Sequence, residues 1–238
     1  MIAVPSRPSP LDLDLHRTAL LVIDMQNDFG APGGMFDRAG IDITGIRATV
    51  APTRRVLAAA RAAGLPVIFI KMEHPPDLSN VGPEDGPHWI IHLRLRAGEE
   101  VVAPDGSRGR ILVKGTWNTE ILEELQPEEG DIVIAKHRYS GFFGTKLEEV
   151  LRDLGVKYLV VTGCTTSICV ESTVRDAMFR DYTCLVLEDC TAEPLGSDLP
   201  RTNHEASLLN IETLLGWVSS SGAFLRALQQ SPASASAR

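Results

Sequence analysis

The sequence predicts an α/β protein: a parallel sheet covered by helices on both faces. Three observations carry this. Short apolar runs recur along the chain, at 18–24, 67–70, 131–136, 156–161 and 183–187. Segments with apolar residues at helical spacing alternate with them, at 47–63, 145–154, beyond Gly163 and at 202–210. The runs TALLVI and VIFI are apolar throughout, as in strands buried on both faces, rather than on every second residue. Strand and helix in alternation build crossover units, and crossover units build parallel sheets. A chain of 238 residues supplies one large domain with a core of its own.

The elements follow in order. Residues 1–17, rich in proline and then acidic, read as a surface arm ahead of a domain spanning 18–230. The first strand runs to Asp24, and residues 25–34, MQNDFGAPGG, form a loop. The helix at 47–63 is stopped by Gly64 and Leu65-Pro66. Residues 67–70 are the second strand. The insert at 72–110 is rich in proline, glycine and charge, and a segment of that length between strands reads as a lid or an oligomer contact. Residues 111–113 read as a short strand and 118–125 as a helix. The third main strand ends in Lys136, and the helix at 145–154 is closed by Gly155. A strand at 156–161 leads through Gly163 and a small polar loop into the next helix. After the strand at 183–187 come a helix at 202–210, a strand at 211–215 and a helix at 219–228. The tail, 231–238, reads as disordered.

Composition narrows the function. A net charge of −8 and the lack of any basic stripe exclude a nucleic-acid binder. No apolar run approaches a membrane span, and no apolar stretch precedes a small-residue cleavage site, so neither a membrane partner nor a signal peptide is expected. The four cysteines, Cys164, Cys169, Cys184 and Cys190, form no CxxC pair, which points to free thiols in a reducing, cytoplasmic setting.

In parallel sheets ligands sit beyond the carboxyl ends of the strands. Asp24, Lys136 and Cys169 each lie at, or a few residues past, such an end, so an acid, a cation and a thiol converge on one rim. Cys169 falls near the first turn of a helix, where free N–H groups and the helix dipole favour a thiolate and can serve an oxyanion. Asp24 could take the thiol proton and Lys136 could stabilise the sulfur's charge. A histidine base, His137 or His204, is the alternative. His137 adjoins Lys136 on a strand and so points to the opposite face, and His204 lies in a later helix. The bland reading of Cys169, a small buried apolar residue, stays open on its own residues.

The motifs IDMQNDF at 23–29, AK at 135–136 before RYSGFFGT, and TGCTTSICVESTVRDA at 162–177 resemble the isochorismatase-like cysteine hydrolase superfamily over about residues 18–218. The resemblance implies a three-layer Rossmann-like sandwich with a six-stranded parallel sheet and an Asp–Lys–Cys triad, here Asp24, Lys136 and Cys169. It also implies a cis peptide at Cys164–Thr165, with the amides of Thr165 and Cys169 as oxyanion donors. True isochorismatases lack the cysteine. Nicotinamidases carry a metal-binding Asp-x-His-x-x-His. Met72, His74 and Asp77 stand at those places, so only the first histidine is kept; no metal and no cofactor are expected. The segments at 114–145 and 210–219 resemble the branch holding ureidoacrylate amidohydrolases and the biuret and triuret hydrolases. That branch implies metal-independent cleavage of a C–N bond in a small ureido or carbamoyl substrate through a thioester-type intermediate, by a homodimer or homotetramer. Phe29, Glu73, Trp117, Asn118, Tyr139 and Phe142 are the expected substrate contacts. The alternatives are a nicotinamidase-like or N-carbamoyl amino-acid amidohydrolase, and a catalytically silent metabolite-binding or scaffold protein.

Overall fold

The computed structural model describes residues 1–230; the expected tail at 231–238 lies outside the described residues. In chain order the strands are β1 (Ile2–Val4), β2 (Leu11–Leu13), β3 (Thr18–Ile23), β4 (Val67–Met72), β5 (Glu100–Val102), β6 (Arg108–Arg110), β7 (Ile132–Lys136), β8 (Tyr158–Cys164), β9 (Thr183–Ala192) and β10 (Trp217–Ser219). The helices are α1 (Asn27–Gly30), α2 (Met35–Arg38), α3 (Thr44–Ala62), α4 (Pro87–Arg94), α5 (Leu147–Asp153), α6 (Glu171–Met178), α7 (Asn203–Asn210) and α8 (Ser221–Gln229). None of the described helices is long and apolar enough to cross a membrane.

Six strands form one parallel sheet in the order β10-β9-β8-β3-β4-β7. Strand β3 shows why its sequence is apolar throughout. Leu20 and Val22 enter one hydrophobic core, Ala19, Leu21 and Ile23 the other, and all six residues of the strand are buried. The first core is closed by α3 and α8, the second by α5, α6 and α7. This is the expected three-layer sandwich. The chain leaves β3 toward β4 and β7, then returns to β3's other side for β8, β9 and β10. The carboxyl end of β3 is therefore the point where the strand order reverses, the place where such sheets open a crevice.

Strands β3 and β8 approach closely at their carboxyl ends. Gly163 pairs with Ile23 and has φ +118°; a Cβ there would stand 2.0 Å from the carbonyl oxygen of Ile23. Only glycine fits that conformation and that gap.

Several local expectations are corrected. The segment at 1–17 is no surface arm: β1 and β2 pair as an antiparallel hairpin whose alternate residues, Ile2, Val4, Leu11 and Leu13, are buried in the first core. Arg7 then bridges the outer edge of β10, exchanging both backbone hydrogen bonds with Val218. Such cover protects a sheet edge from foreign strands. Residues 111–113 form no strand; Val113 makes a single bridge to His74. The helix expected at 118–125 is two 3₁₀ turns, Trp117–Thr119 and Glu123–Leu125. Between them the backbone of Glu120 and Leu122 is bonded to Asn27 and Met25, which holds the chain extended. Residues 211–215 continue α7 as a π-helical turn. A Thr202–Glu205 capping box starts that helix and nothing breaks it before Gly216, so the β-favouring residues there are overruled. The last strand is β10 instead.

Candidate active site

Asp24 is the first residue beyond β3, and Lys136 ends β7. Cys169 lies in the π-helical turn, Thr166–Val170, between β8 and α6. The sheet brings the three together. Lys136 Nζ stands 2.7 Å from Asp24 Oδ2 and 3.4 Å from Cys169 Sγ, and donates a third bond to the Arg138 carbonyl at 3.2 Å. Asp24 and Lys136 are about 1 % exposed, so this ion pair works outside bulk water.

Burial alone would lower the Lys136 pKa, but the charge of Asp24 outweighs it and the ammonium is held protonated. Burial raises the Asp24 carboxyl, and the Lys136 charge only partly reverses this. The Cys169 thiol is pushed up by burial and then by the charge of Asp24, against the pull of Lys136. The resting state is thus a protonated thiol beside a carboxylate whose basicity is enhanced. Cys184 is pushed up to about 12 by burial alone, and Cys190 to about 12 by burial and then by the charge of Asp189.

Backbone geometry supports the constellation. Asp24 has φ +53°, an uncommon left-handed conformation for a residue with a side chain. Its N–H donates to Ile70 across the sheet, and its carbonyl accepts from the Gln26 amide. The Cys164–Thr165 peptide is cis, as the resemblance implies. The Thr165 carbonyl accepts from the amides of Ile168 and Val170, which winds the turn carrying Cys169. Glu193 accepts from the Ser167 amide and hydroxyl at 3.1 and 2.5 Å. Thr173 donates to the Cys169 carbonyl at 2.7 Å and accepts from the Gly141 amide, tying the turn to the loop after β7.

Asp24 and Cys169 open onto a cavity of about 420 Å³, with Lys136 behind them. Phe29 and Tyr139 line it, as does Thr165. The other expected contacts do not. Glu73 is buried in an ion pair with Lys71 at 2.8 Å. The Trp117 carbonyl accepts from Asn27 at 2.8 Å while its ring packs on the first core. Asn118 is wholly buried, donating to Asp28 at 2.6 Å. Phe142 packs in the second core, between Tyr182 and the Arg180 guanidinium. Gln26 and Asp28 brace the loop: Gln26 holds both backbone groups of Met72, and Asp28 accepts from Met35, Leu112 and Asn118.

Neither candidate histidine base reaches the thiol's pocket. His137 packs edge-on against Phe143, and His204 is hydrogen-bonded to Thr166 Oγ1 at 2.9 Å. The insert does contribute wall: Ile91, His92, Arg94 and Leu95 from and just after α4, and Leu112 beyond it. Met35, Phe36 and Ile41 complete the apolar side.

A doubly wound sheet with a carboxylate, an ammonium and a thiol at its reversal point defines a recognisable class, that of the isochorismatase-like cysteine hydrolases. The Isochorismatase domain family matches residues 18–223, and this chain belongs to that family. It is 42% identical over 227 residues to ureidoacrylate amidohydrolase RutB of Methylobacterium radiotolerans, covering 95% of this chain and 85% of that one. It is 39% identical to the protein of that name from Agrobacterium fabrum, covering 96% and 97% of the two chains. Among solved structures it is similar to a cysteine hydrolase from Pseudomonas syringae pv. phaseolicola, with a TM-score of 0.77, 27% identity and coverage of 96% and 98%. It is also similar to N-carbamoylsarcosine amidase from Thermoplasma acidophilum, with a TM-score of 0.63, 29% identity and coverage of 86% and 96%.

Proposed function

We propose that this chain is a cysteine amidohydrolase cleaving a C–N bond of a small ureido or carbamoyl substrate. The observation that carries the reading is one ammonium within 2.7 Å of a buried carboxylate and 3.4 Å of a buried thiol, at the floor of a substrate-sized cavity. Asp24 takes the Cys169 proton as sulfur attacks the carbonyl carbon. The amides of Thr165 and Cys169 receive the oxyanion, and Lys136 balances the negative charge. The C–N bond then breaks, and the proton on Asp24 passes to the departing nitrogen. Water gives a proton to Asp24, attacks the thioester-type carbonyl and releases the sulfur, which recovers that proton. The chain uses its own side chains for each step. The relatives' names supply the substrate class, and the four free thiols fit a cytoplasmic setting. Assembly as a homodimer or homotetramer belongs to the same reading and is checked by light scattering.

The reading is tested with a panel of ureidoacrylate, biuret, triuret, N-carbamoylsarcosine and nicotinamide. Turnover of one or more ureido or carbamoyl compounds is expected; release of ammonia from nicotinamide alone would overturn it. A pH profile checks the base. Asp24 must be ionised to accept the proton, and burial sets its pKa above the ordinary 3.8. The acid limb of kcat/KM should therefore fall at a pH above that value. A profile flat down to that value would remove Asp24 from the mechanism.

A further inference from the structure

We infer that His92 is a specificity-determining residue whose Nε2 accepts a hydrogen bond from the substrate, so that the cavity selects compounds presenting an N–H donor to it. The inference rests on the hydrolase reading above and adds a residue that chooses among its substrates.

Helix α4 is built against the usual pattern. Its apolar residues Ile90, Ile91 and Leu93 are exposed, and its one buried residue is His92. Folding alone gains nothing from this, since a helix is held by its apolar side and a buried polar ring needs partners. His92 lines the same cavity as Asp24 and Cys169.

The surroundings of the ring fix what it can offer. Its Nδ1 donates to the His88 carbonyl at 2.7 Å, which leaves the lone pair on Nε2. His88 stacks on the ring with centroids 3.9 Å apart, and His74 meets it edge-on at 5.3 Å, so the imidazole is held in place. Burial, and then the neighbouring His88, push its pKa down to about 3, so the ring is neutral. His74 and His88 have their own Nδ1 atoms bonded, to Asn80 Oδ1 and the Val81 carbonyl, and their Nε2 atoms are buried without a partner. The Nε2 of His92 also makes no hydrogen bond among the described residues, but unlike those two it is not sealed off. The cavity is the open space that His92 borders.

The rest of the lining makes that lone pair count. Phe29, Met35, Phe36 and Ile41 are apolar, and Asp24 is held by Lys136. The hydroxyls of Tyr139 and Thr165 can turn to donate or accept, and Arg94 only donates. The locked His92 nitrogen only accepts. An N–H on the substrate satisfies it, whereas a methyl group in the same place leaves it buried and unpaired. Sites of that kind discriminate strongly.

The test takes a ureido or carbamoyl compound of the panel that is turned over, and its analogue methylated at the N–H groups outside the scissile bond. Both are measured with the wild type, His92→Phe and His92→Gln. His92→Phe keeps a ring to stack on His88 and removes the acceptor; His92→Leu serves if melting shows that the larger ring disturbs α4. Loss of the acceptor should raise KM for the parent compound by about ten-fold, with kcat changed far less and the methylated analogue's KM within two-fold. His92→Gln, which restores an acceptor, should recover part of the loss. No change for the parent, or an equal change for both compounds, would overturn the proposal. Calorimetric binding of biuret to Cys169→Ser, with and without His92→Phe, needs no turnover. The affinity should fall by a similar factor; an unchanged affinity, or no binding of biuret to either protein, rejects the role of His92. If the wild type hydrolyses no ureide yet His92→Phe still weakens biuret binding, the hydrolase reading fails while the acceptor site stands.

Discussion

Cys169→Ser is expected to lower kcat by at least about 10⁴-fold while the protein stays folded. The two side chains have nearly the same shape, so the turn between β8 and α6 keeps the bond it accepts from Thr173 and those it donates to Glu193. What changes is acidity. A carboxylate raised by burial is still far too weak a base for an alcohol, whereas the thiol lies closer to its reach and sulfur attacks carbonyl carbon well even when briefly ionised. Lys136 loses little, because Asp24 and the Arg138 carbonyl still hold it. The measurement is kcat with a ureido substrate, beside the melting temperature. Activity within ten-fold of wild type would show that the sulfur is not the nucleophile.

Gly163→Ala should be the most damaging small substitution in the sheet. Its φ is +118°, and the new methyl would stand 2.0 Å from Ile23 O and 2.6 Å from Ile23 N. Those are backbone atoms of the central strand, so no side chain can turn away. The two strands must part, at a cost of about 4 kcal/mol or more. Gly155 provides the comparison. It has φ +64° with nothing within 4 Å of an added Cβ, so alanine there costs only the conformational penalty of about 1–2 kcal/mol. Thermal unfolding of both variants decides it: equal melting temperatures would mean that the β3–β8 approach is not a constraint. Asp24 and Cys169 follow the ends of these same two strands, so Gly163→Ala should also reduce activity per folded molecule.

Much of the site was legible because strand ends are legible. TALLVI, DIVIAK and YLVVTG end where apolar residues stop, and a parallel sheet gathers those ends. The walls were not legible in the same way. Phe142 sits six residues past Lys136, beside a true lining residue, Tyr139, yet the tight SGFFG turn sends its ring to the other core. Asn118 looks free in sequence, but Asp28, ninety residues away, accepts its amide. Such pairings depend on long-range placement that a local pattern does not contain. Arg94 and His92 were hidden for the opposite reason: a short helix in a polar insert offers no periodicity strong enough to tell which side faces inward.

The origin of the cavity's parts has a consequence for how such a protein can change. The reacting trio hangs from β3, β7 and the turn after β8, all pinned by the ladder, whereas α4 and the residues around it supply part of the wall and none of the trio. One part of the wall is thus encoded apart from the chemistry. Diet can drift by rewriting the stretch between β4 and β7 while the reaction itself is inherited unaltered.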